Sequence, residues 1–332
     1  MPYTLFQGGR RRRRRAPALL AALLLLAAGV AAVLTLQRGG GDPPPATPPE
    51  VTAPLRDGGA APLAGGGTAP SPLAVRLEDA SDPVRLDFKR PPRSGLLFDV
   101  DTGRVLWRRD PARVLPIASL TKMMTALVVT DRVGPGSKVP ITKEALRYRG
   151  SGVGMLPRDK RIGVSTMLHG LLLPSGNDAA IALAQRAAGT VPRFVALMNA
   201  RARRMGLVCT RFSNPDGLET RGNHSCASDL AAIARAVLRV PRLARIVRRR
   251  QAILPFPIKG RKLYLYNSNP LLRQGYRGTT GLKTGYTAAA GRCLVGTARR
   301  GPLKLGVVLL ESPDPATQAR KLLDRGFRAG RR

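Results

Sequence analysis

The feature that most constrains this chain is a long apolar stretch near its beginning. Residues 16–36 are almost entirely Ala, Leu and Val, and six consecutive arginines precede them at residues 10–15. A helix of this length reaches about 30 Å, which matches the hydrocarbon core of a bilayer. We therefore expect a transmembrane helix, a signal anchor, at residues 16–37, preceded by a basic tail at residues 1–15.

The charge beside this stretch predicts where the rest of the chain lies. Positively charged flanks tend to remain in the cytoplasm, so the tail is expected to be cytoplasmic. Everything after Arg38 is then expected to be extracytoplasmic and held at the cell membrane. Signal-peptide cleavage near residues 28–32 is the alternative and would give a secreted protein.

Composition divides the remaining chain into a linker and one domain. Residues 38–85 are dominated by Gly, Pro and Ala, a composition that buries too little apolar surface to offset the cost of ordering the chain. They are expected to be an extended linker. Residues 86–332 are enough for one domain of ordinary size.

Periodicity within this domain predicts both strands and helices. Residues 96–100 and 104–107 read as a hairpin joined by a turn at 101–103. Apolar residues recur at helical spacing in the middle and at the end of the chain, over residues 118–130, 178–188, 191–205, 227–238 and 316–327. Residues 292–297 and 303–310 are expected to form buried antiparallel strands.

The first candidate site motif is Ser119-Leu120-Thr121-Lys122. The i,i+3 spacing on a helix places the Ser119 and Lys122 side chains on one face, within hydrogen-bond reach. A lysine made neutral by desolvation can take the proton of a serine hydroxyl and so create a nucleophile. A serine at a helix start also has backbone N–H groups near a developing oxyanion.

The second motif, Ser175-Gly176-Asn177, follows an apolar run and precedes a helical pattern. It is expected in a tight loop beside the core. The Ser175 hydroxyl would relay a proton between Lys122 and a leaving amine, and the Asn177 amide would hold both Lys122 and a substrate carbonyl. The motif alone is also typical of an ordinary helix cap.

The third motif, Lys283-Thr284-Gly285, lies in a segment predicted to be an edge strand, against which a peptide could lie antiparallel. Lys283 would supply positive charge and Thr284 a hydroxyl for a substrate carboxylate. Gly285 would let a backbone approach closely. The N–H of Tyr286 would complete an oxyanion hole with that of Ser119.

Together and in this order, the three motifs resemble those of the low-molecular-mass D-alanyl-D-alanine carboxypeptidases, penicillin-binding proteins of the S11 peptidase family. The resemblance runs from about residue 94 to residue 327 and includes residues 214–218 and 224–230. It implies the α+β fold of penicillin-recognising serine enzymes, which β-lactamases and DD-peptidases share. In that fold an antiparallel sheet made from both chain ends packs against a helical cluster.

The resemblance also implies a serine-type carboxypeptidase acting on peptidoglycan stem peptides. Ser119 would attack the carbonyl between two terminal D-alanines, form an acyl-enzyme and release D-alanine, with Lys122 as base in both halves. β-Lactams would act as inhibitors by acylating Ser119, and no metal or organic cofactor is needed. His169 and His224 are not required as bases and are expected to be structural or surface residues.

Two features of the sequence bear on alternative functions. The loop at residues 311–315 lacks the arginine with which many family members hold a terminal carboxylate, although Arg292 or Arg320 could substitute. DD-endopeptidase action on peptide cross-links therefore stays open. A serine β-lactamase is disfavoured because Glu219, the only glutamate between the second and third motifs, lacks the expected surrounding pattern. A non-catalytic wall-binding protein is the alternative from another class.

The cysteines and the charge allow weaker inferences. Cys209 and Cys226 either pair outside the cytoplasm or stay free, Cys293 is expected to fill core space, and no C-x-x-C spacing suggests a metal site. The formal net charge of +36 predicts attraction to anionic wall polymers or lipids. No nucleic-acid-binding motif accompanies the charge, so no specific nucleic-acid partner is expected.

Overall fold

The computed structural model describes residues 71–78, 82–154, 156–218, 222–257 and 261–330. The predicted basic tail, the signal anchor at residues 16–37 and the linker up to residue 70 lie outside these described residues. Within the described ranges, no helix combines the length and the apolar character needed to cross a bilayer.

The described residues form short and long strands that alternate with helices along the chain. The strands are β1 Ser94–Asp99, β2 Val105–Arg109, β3 Leu115–Pro116, β4 Lys138–Pro140, β5 Arg161–Gly163, β6 His224–Ser225, β7 Gln251–Pro255, β8 Lys262–Tyr266, β9 Thr279–Thr287, β10 Gly291–Arg300 and β11 Leu303–Leu310. A 3-10 turn at Ala118–Thr121 precedes the first helix. The helices are α1 Lys122–Arg132, α2 Lys143–Leu146, α3 Val164–Leu172, α4 Asn177–Ala188, α5 Val191–Arg204, α6 Ala227–Arg239, α7 Pro241–Val247, α8 Pro270–Arg273 and α9 Pro315–Ala329.

The main sheet joins the two ends of the domain. Its five strands lie in the order β2-β1-β11-β10-β9, and every neighbouring pair is antiparallel. Ser94 at the start of β1 lies opposite Leu310 at the end of β11. The predicted hairpin, the two C-terminal strands and the antiparallel sheet with helices are confirmed, and β9 is an edge strand as expected.

Apolar residues on both faces of the central strands explain why helices cover the sheet on two sides. Leu96 and Phe98 belong to a core shared with the helical cluster. Leu97, between them, belongs to a second core that includes Leu322 and Phe327 of α9. Because side chains alternate across a strand, β1 contributes to both cores, and each fully buried side chain of this size stabilises the fold by about 1.5–3 kcal/mol.

The folded part extends further toward the N-terminus than composition indicated. Val75 and Val84 are buried, although both lie before the predicted domain start at residue 86. The Arg235 guanidinium donates hydrogen bonds to the backbone carbonyls of Leu73 and Ala74 at 2.8 and 2.6 Å. The end of the predicted linker therefore packs on the domain, which two isolated valines in a Gly- and Pro-rich sequence do not reveal.

The cysteines settle one of the alternatives that the sequence left open. Cys209 and Cys226 form a disulfide, with their Cα atoms 5.6 Å apart. Cys293 is a buried free thiol, as expected, and burial raises its pKa to about 11. A thiol with so high a pKa is protonated at neutral pH and unreactive.

Candidate active site

The segment that carries Ser119 is a tight turn ahead of a helix. Ser119 lies in the 3-10 turn between β3 and α1, and Ala118 before it has a φ of +46°. The sequence predicted one continuous helix from residue 118, whereas the α-helix begins at Lys122. The backbone of Gly217 and that of Gly285 lie close to this turn.

Lys122 links Ser119 to two other parts of the site. Its side chain is fully buried. Its Nζ donates hydrogen bonds to Ser119 Oγ at 2.9 Å, to Asn177 Oδ1 at 2.6 Å and to the backbone oxygen of Asp216 at 2.6 Å. Three acceptors match the three N–H groups of an ammonium. The expected contacts of Lys122 with Ser119 and Asn177 are therefore present.

Burial changes the acid–base behaviour of Lys122. Desolvation lowers its pKa to about 8, against the opposing effect of the Asp216 and Asp178 carboxylates. About one molecule in ten then carries a neutral amine at pH 7, far more than for a solvated lysine. A neutral amine 2.9 Å from Ser119 Oγ can accept the hydroxyl proton, which is the arrangement that general-base activation of a serine requires.

The Ser175-Gly176-Asn177 corner is held by the loop between α2 and β5. Asn177 Nδ2 donates to the backbone oxygen of Arg149 at 2.5 Å, and the Asn177 backbone N–H donates to Ser151 O at 2.8 Å. A Cβ on Gly176 would lie 2.8 Å from a side-chain carbon of Val153, so the corner requires glycine. These contacts fix the Asn177 amide with its oxygen directed at Lys122.

Ser175 occupies a strained position in this corner. Its φ is +71°, which is uncommon for a residue other than glycine. Its Oγ is buried and has no hydrogen-bond partner among the described residues. The predicted relay contact between Ser175 and Lys122 is thus not formed in this structure, although Lys122 donates a hydrogen bond to Asn177 of the same corner.

Strand β9 places Lys283 inside the site. Lys283 is fully buried, and its Nζ donates to the backbone oxygen of Thr284 at 2.8 Å. Burial, and secondly the charge of Lys122, hold the pKa of Lys283 well below its usual range. Thr284 Oγ1 lies 2.7 Å from Ser268 Oγ. The Ser268 hydroxyl therefore lies beside the Thr284 hydroxyl, which the sequence predicted to bind a substrate carboxylate.

Gly285 makes the contact between β9 and the Ser119 turn possible. A Cβ at this position would lie 2.9 Å from the backbone oxygen of Ile117 and 3.2 Å from the backbone nitrogen of Ser119. The backbone that lies close to Gly285 in this structure therefore belongs to the Ser119 turn of the same chain. The neighbouring Tyr286 side chain is 68% exposed, and the oxyanion role expected of its N–H stays a prediction.

Residues 214–218 complete the site from a loop whose role sequence reasoning missed. Thr125 Oγ1 of α1 donates to Pro215 O at 2.6 Å, next to the Asp216 carbonyl that binds Lys122. Asn214 Oδ1 accepts from the N–H of Gly217 at 2.7 Å. Gly217 has a φ of +79° and no room for a Cβ beside the carbonyl of Ala118. The resemblance had included this motif but had given it no contact.

The histidines and the C-terminal loop have supporting positions. His169 is buried in α3, with Nδ1 2.7 Å from Ser165 O, and the His224 backbone pairs with Pro116. Neither ring hydrogen-bonds Ser119 or Lys122 within the described part of the chain, which agrees with the structural role expected.

Arg292, opposite Tyr286 in the sheet, donates to Pro313 O at 2.9 Å. Glu219 lies outside the described residues.

Comparisons with known proteins agree with this geometry. The family model of peptidase S11, D-alanyl-D-alanine carboxypeptidase, matches residues 89–314. The D-alanyl-D-alanine carboxypeptidase DacF of Bacillus subtilis is 33% identical over 243 residues, covering 71% of this chain and 62% of that protein. The D-alanyl-D-alanine endopeptidase of Pseudomonas aeruginosa is 36% identical over 219 residues, covering 65% of this chain and 70% of that protein.

A solved structure extends the agreement to the fold. The crystal structure of a D-alanyl-D-alanine carboxypeptidase from Mycobacterium tuberculosis H37Rv superposes with a TM-score of 0.68 at 33% identity, covering 74% of this chain and 93% of that one. The chain spans between 60 and 66% of the length of the first curated relatives that it matches. The match to more than half of the chain and these identities show that the chain belongs to the peptidase S11 family of D-alanyl-D-alanine carboxypeptidases.

Proposed function

We propose that this protein is a serine-type D-Ala-D-Ala carboxypeptidase that removes the terminal D-alanine from peptidoglycan pentapeptides. One observation carries the proposal: the buried Lys122 amine lies 2.9 Å from Ser119 Oγ and has its pKa lowered to about 8. Such an amine can deprotonate the serine near neutral pH. Family membership supports D-Ala-D-Ala peptides as the substrate class.

The proposed reaction begins with proton transfer from Ser119 Oγ to neutral Lys122. The oxygen then attacks the carbonyl carbon between the two D-alanines, and the backbone N–H groups of Ser119 and Tyr286 stabilise the oxyanion. Ser175 passes the proton to the leaving amine, after a small rotation of its unpartnered hydroxyl. Water then attacks the acyl-enzyme, with Lys122 again as base, and releases the shortened peptide.

Strand β9 is the proposed binding edge for the substrate. A stem peptide pairs antiparallel with this edge, and its terminal carboxylate lies near Lys283 and the Thr284 hydroxyl. The carboxylate raises the pKa of Lys283, which burial has lowered, and so stabilises the charged form of this lysine. β-Lactams, which carry a comparable carboxylate, acylate the same serine and act as inhibitors.

We also propose that the protein is anchored in the cell membrane by residues 16–37, with its catalytic domain outside the cytoplasm. The apolar stretch and the six arginines before it support this location. Signal-peptide cleavage near residues 28–32 would instead give a secreted protein, and mass determination of the mature N-terminus would distinguish this outcome from anchoring. The net charge of +36 supports contacts with anionic wall polymers or lipids.

A second candidate function is DD-endopeptidase action on peptide cross-links. The Pseudomonas aeruginosa relative bears that name. In addition, residues 311–315 contain Glu311 and Asp314 but no arginine to hold a free terminal carboxylate. Both reactions use the same acyl-enzyme on Ser119, and they differ in whether the released amine is free D-alanine or part of a cross-linked strand.

Incubation with a pentapeptide wall precursor tests the proposal. Mass spectrometry should detect the loss of one D-alanine with the wild-type protein and no loss with S119A. Fluorescent penicillin should label the wild type and leave S119A unlabelled. Release of D-alanine at the same rate by both proteins would refute the assignment of Ser119.

Two further arms separate the alternative functions. A cross-linked dimeric muropeptide, used in parallel, distinguishes endopeptidase from carboxypeptidase action. Rapid hydrolysis of penicillin, instead of a long-lived acyl-enzyme, would favour a serine β-lactamase. If neither peptide is cleaved and penicillin does not label the wild type, the non-catalytic wall-binding alternative gains support.

A further inference from the structure

A basic cavity lies apart from the three site motifs. It measures about 360 Å³ and is bounded by α6, α7, the turn after β1 and the ends of β9, β10 and β11. Six of the residues that line it are cations, namely Arg235, Arg239, Arg245, Arg248, Arg299 and Lys304. Asp101 is the one carboxylate among these lining residues. None of the residues assigned to the peptidase site lines it.

Some of these cations already have structural partners. Arg235 donates to four backbone carbonyls, including those of Val100 at 2.8 Å and Asp101 at 3.0 Å. Lys304 pairs with Asp101 at 3.0 Å. Arg299 Nε donates to Gly301 O at 2.9 Å. These contacts fix the floor and one wall of the cavity.

The other three cations line the same cavity and have no carboxylate partner among the described residues. Arg239, Arg245 and Arg248 are exposed and form no ion pair with any described residue. They lie at or after the C-terminal turns of α6 and α7. Burial, and then the charge of Arg239, lower the pKa of Arg235, with the carboxylates of Asp99 and Asp101 acting in the opposite direction, so Arg235 and Arg239 repel each other. A multivalent anion would relieve this repulsion.

The shape and chemistry of the cavity indicate the class of anion. Guanidinium groups bind phosphate oxygens in a bidentate manner, and three of them around one concavity can satisfy several oxygens at once. Val100, Leu238 and Ala244 add an apolar part to the lining, which suits the short carbon segment of a phosphate ester. A simple surface charge patch would have neither the enclosure nor this apolar part.

We propose that this cavity binds a phosphate ester, either a unit of an anionic polymer or the headgroup of an anionic lipid. The site gives a specific location to the general attraction for anions expected from the net charge. Phosphate binding in this cavity depends on no step of the proposed peptidase reaction, so either proposal can fail without the other. Phosphate binding at this place would hold the domain against a phosphate-rich surface.

Binding of defined phosphate probes by the full chain tests the site. The probes are inorganic tripolyphosphate, a soluble poly(glycerol phosphate), and a short-chain phosphatidylglycerol kept monomeric below its micelle concentration, so that membrane insertion of residues 16–37 does not contribute to binding. The test variant R245Q/R248Q removes two lining arginines from and after α7. The matched control R203Q/R204Q removes the same charge from the last turn of α5, outside the cavity. Circular dichroism and the melting temperature of both variants check that the domain is folded.

We expect tripolyphosphate affinity to fall at least tenfold in R245Q/R248Q and less than twofold in R203Q/R204Q. R245K/R248K, which keeps the charge but loses the bidentate geometry, should be intermediate. If the poly(glycerol phosphate) affinity falls in parallel but the affinity for the short-chain lipid does not, the ligand is a polymer unit, and the reverse result identifies a lipid headgroup. Equal losses in the test and control variants, or no binding by the wild type, would overturn the proposal.

Discussion

Removal of the Cys209–Cys226 disulfide should weaken the fold and slow acylation together. The disulfide closes a loop of 17 residues, and this loop carries Asp216, whose carbonyl binds Lys122 at 2.6 Å. Cross-linking a loop of about this length restricts the unfolded chain and contributes about 3 kcal/mol. The double variant C209S/C226S should therefore lose about this much stability.

The loss of stability can be measured as a fall in melting temperature, and the loosening of the loop as a fall in the rate of acylation. For a domain of this size, about 3 kcal/mol corresponds to a fall in Tm of about 6–12 °C. Cys209 N–H and Thr210 Oγ1 also donate to the Asp229 carboxylate, at 2.8 and 2.7 Å, and these bonds remain in the variant. We therefore expect the loop to loosen without detaching, and the rate of acylation by penicillin to fall about tenfold.

Calorimetry and stopped-flow labelling with fluorescent penicillin would measure the two effects. Dithiothreitol should reproduce both changes in the wild type and have no further effect on C209S/C226S. The variant C293A controls for the remaining thiol, which is buried and takes no part in the disulfide. A reduced protein with unchanged Tm and unchanged acylation rate would show that the disulfide does not support the Asp216 loop.

Three other variants or conditions test the site. N177A should slow acylation about tenfold to a hundredfold while the protein remains folded, as seen by circular dichroism, because Lys122 loses one of the three acceptors that position its amine beside Ser119 Oγ. The acylation rate should rise about tenfold per unit of pH below pH 8 and level off above it, because neutral Lys122 is the base. A flat profile between pH 6 and 8 would contradict this. G285A should abolish penicillin labelling, whereas G136A, where a Cβ meets nothing within 4 Å, should label normally.

The sequence predicted those parts of the fold that depend on patterns of residue type. Continuous apolar runs marked the C-terminal strands, and Leu96 to Phe98 marked the strand that pairs with one of them. The i,i+3 spacing of Ser119 and Lys122 survives as a hydrogen bond, although Ser119 lies in a 3-10 turn and not in the α-helix. In a 3-10 turn, as in an α-helix, the side chains of residues three positions apart lie on the same side.

The features that the sequence could not supply depend on backbone position. The third acceptor of Lys122 is the backbone carbonyl of Asp216, a group that every residue type carries and that no motif identifies. Ser175 has a left-handed φ, which its identity does not predict. The choice between paired and free thiols needed the Cα distance of 5.6 Å between Cys209 and Cys226.

The two buried lysines explain how the site can be selective for an anionic ligand. Lys122 and Lys283 are both fully buried. Desolvation is the larger cause that lowers the pKa of Lys283, and the charge of Lys122 is the second cause. A carboxylate that arrives beside Lys283 raises the pKa of this lysine and stabilises its charged form. The cation next to Lys122 then opposes protonation of Lys122 and keeps it a base. Binding of the carboxylate would thereby favour the state of the site that can activate Ser119.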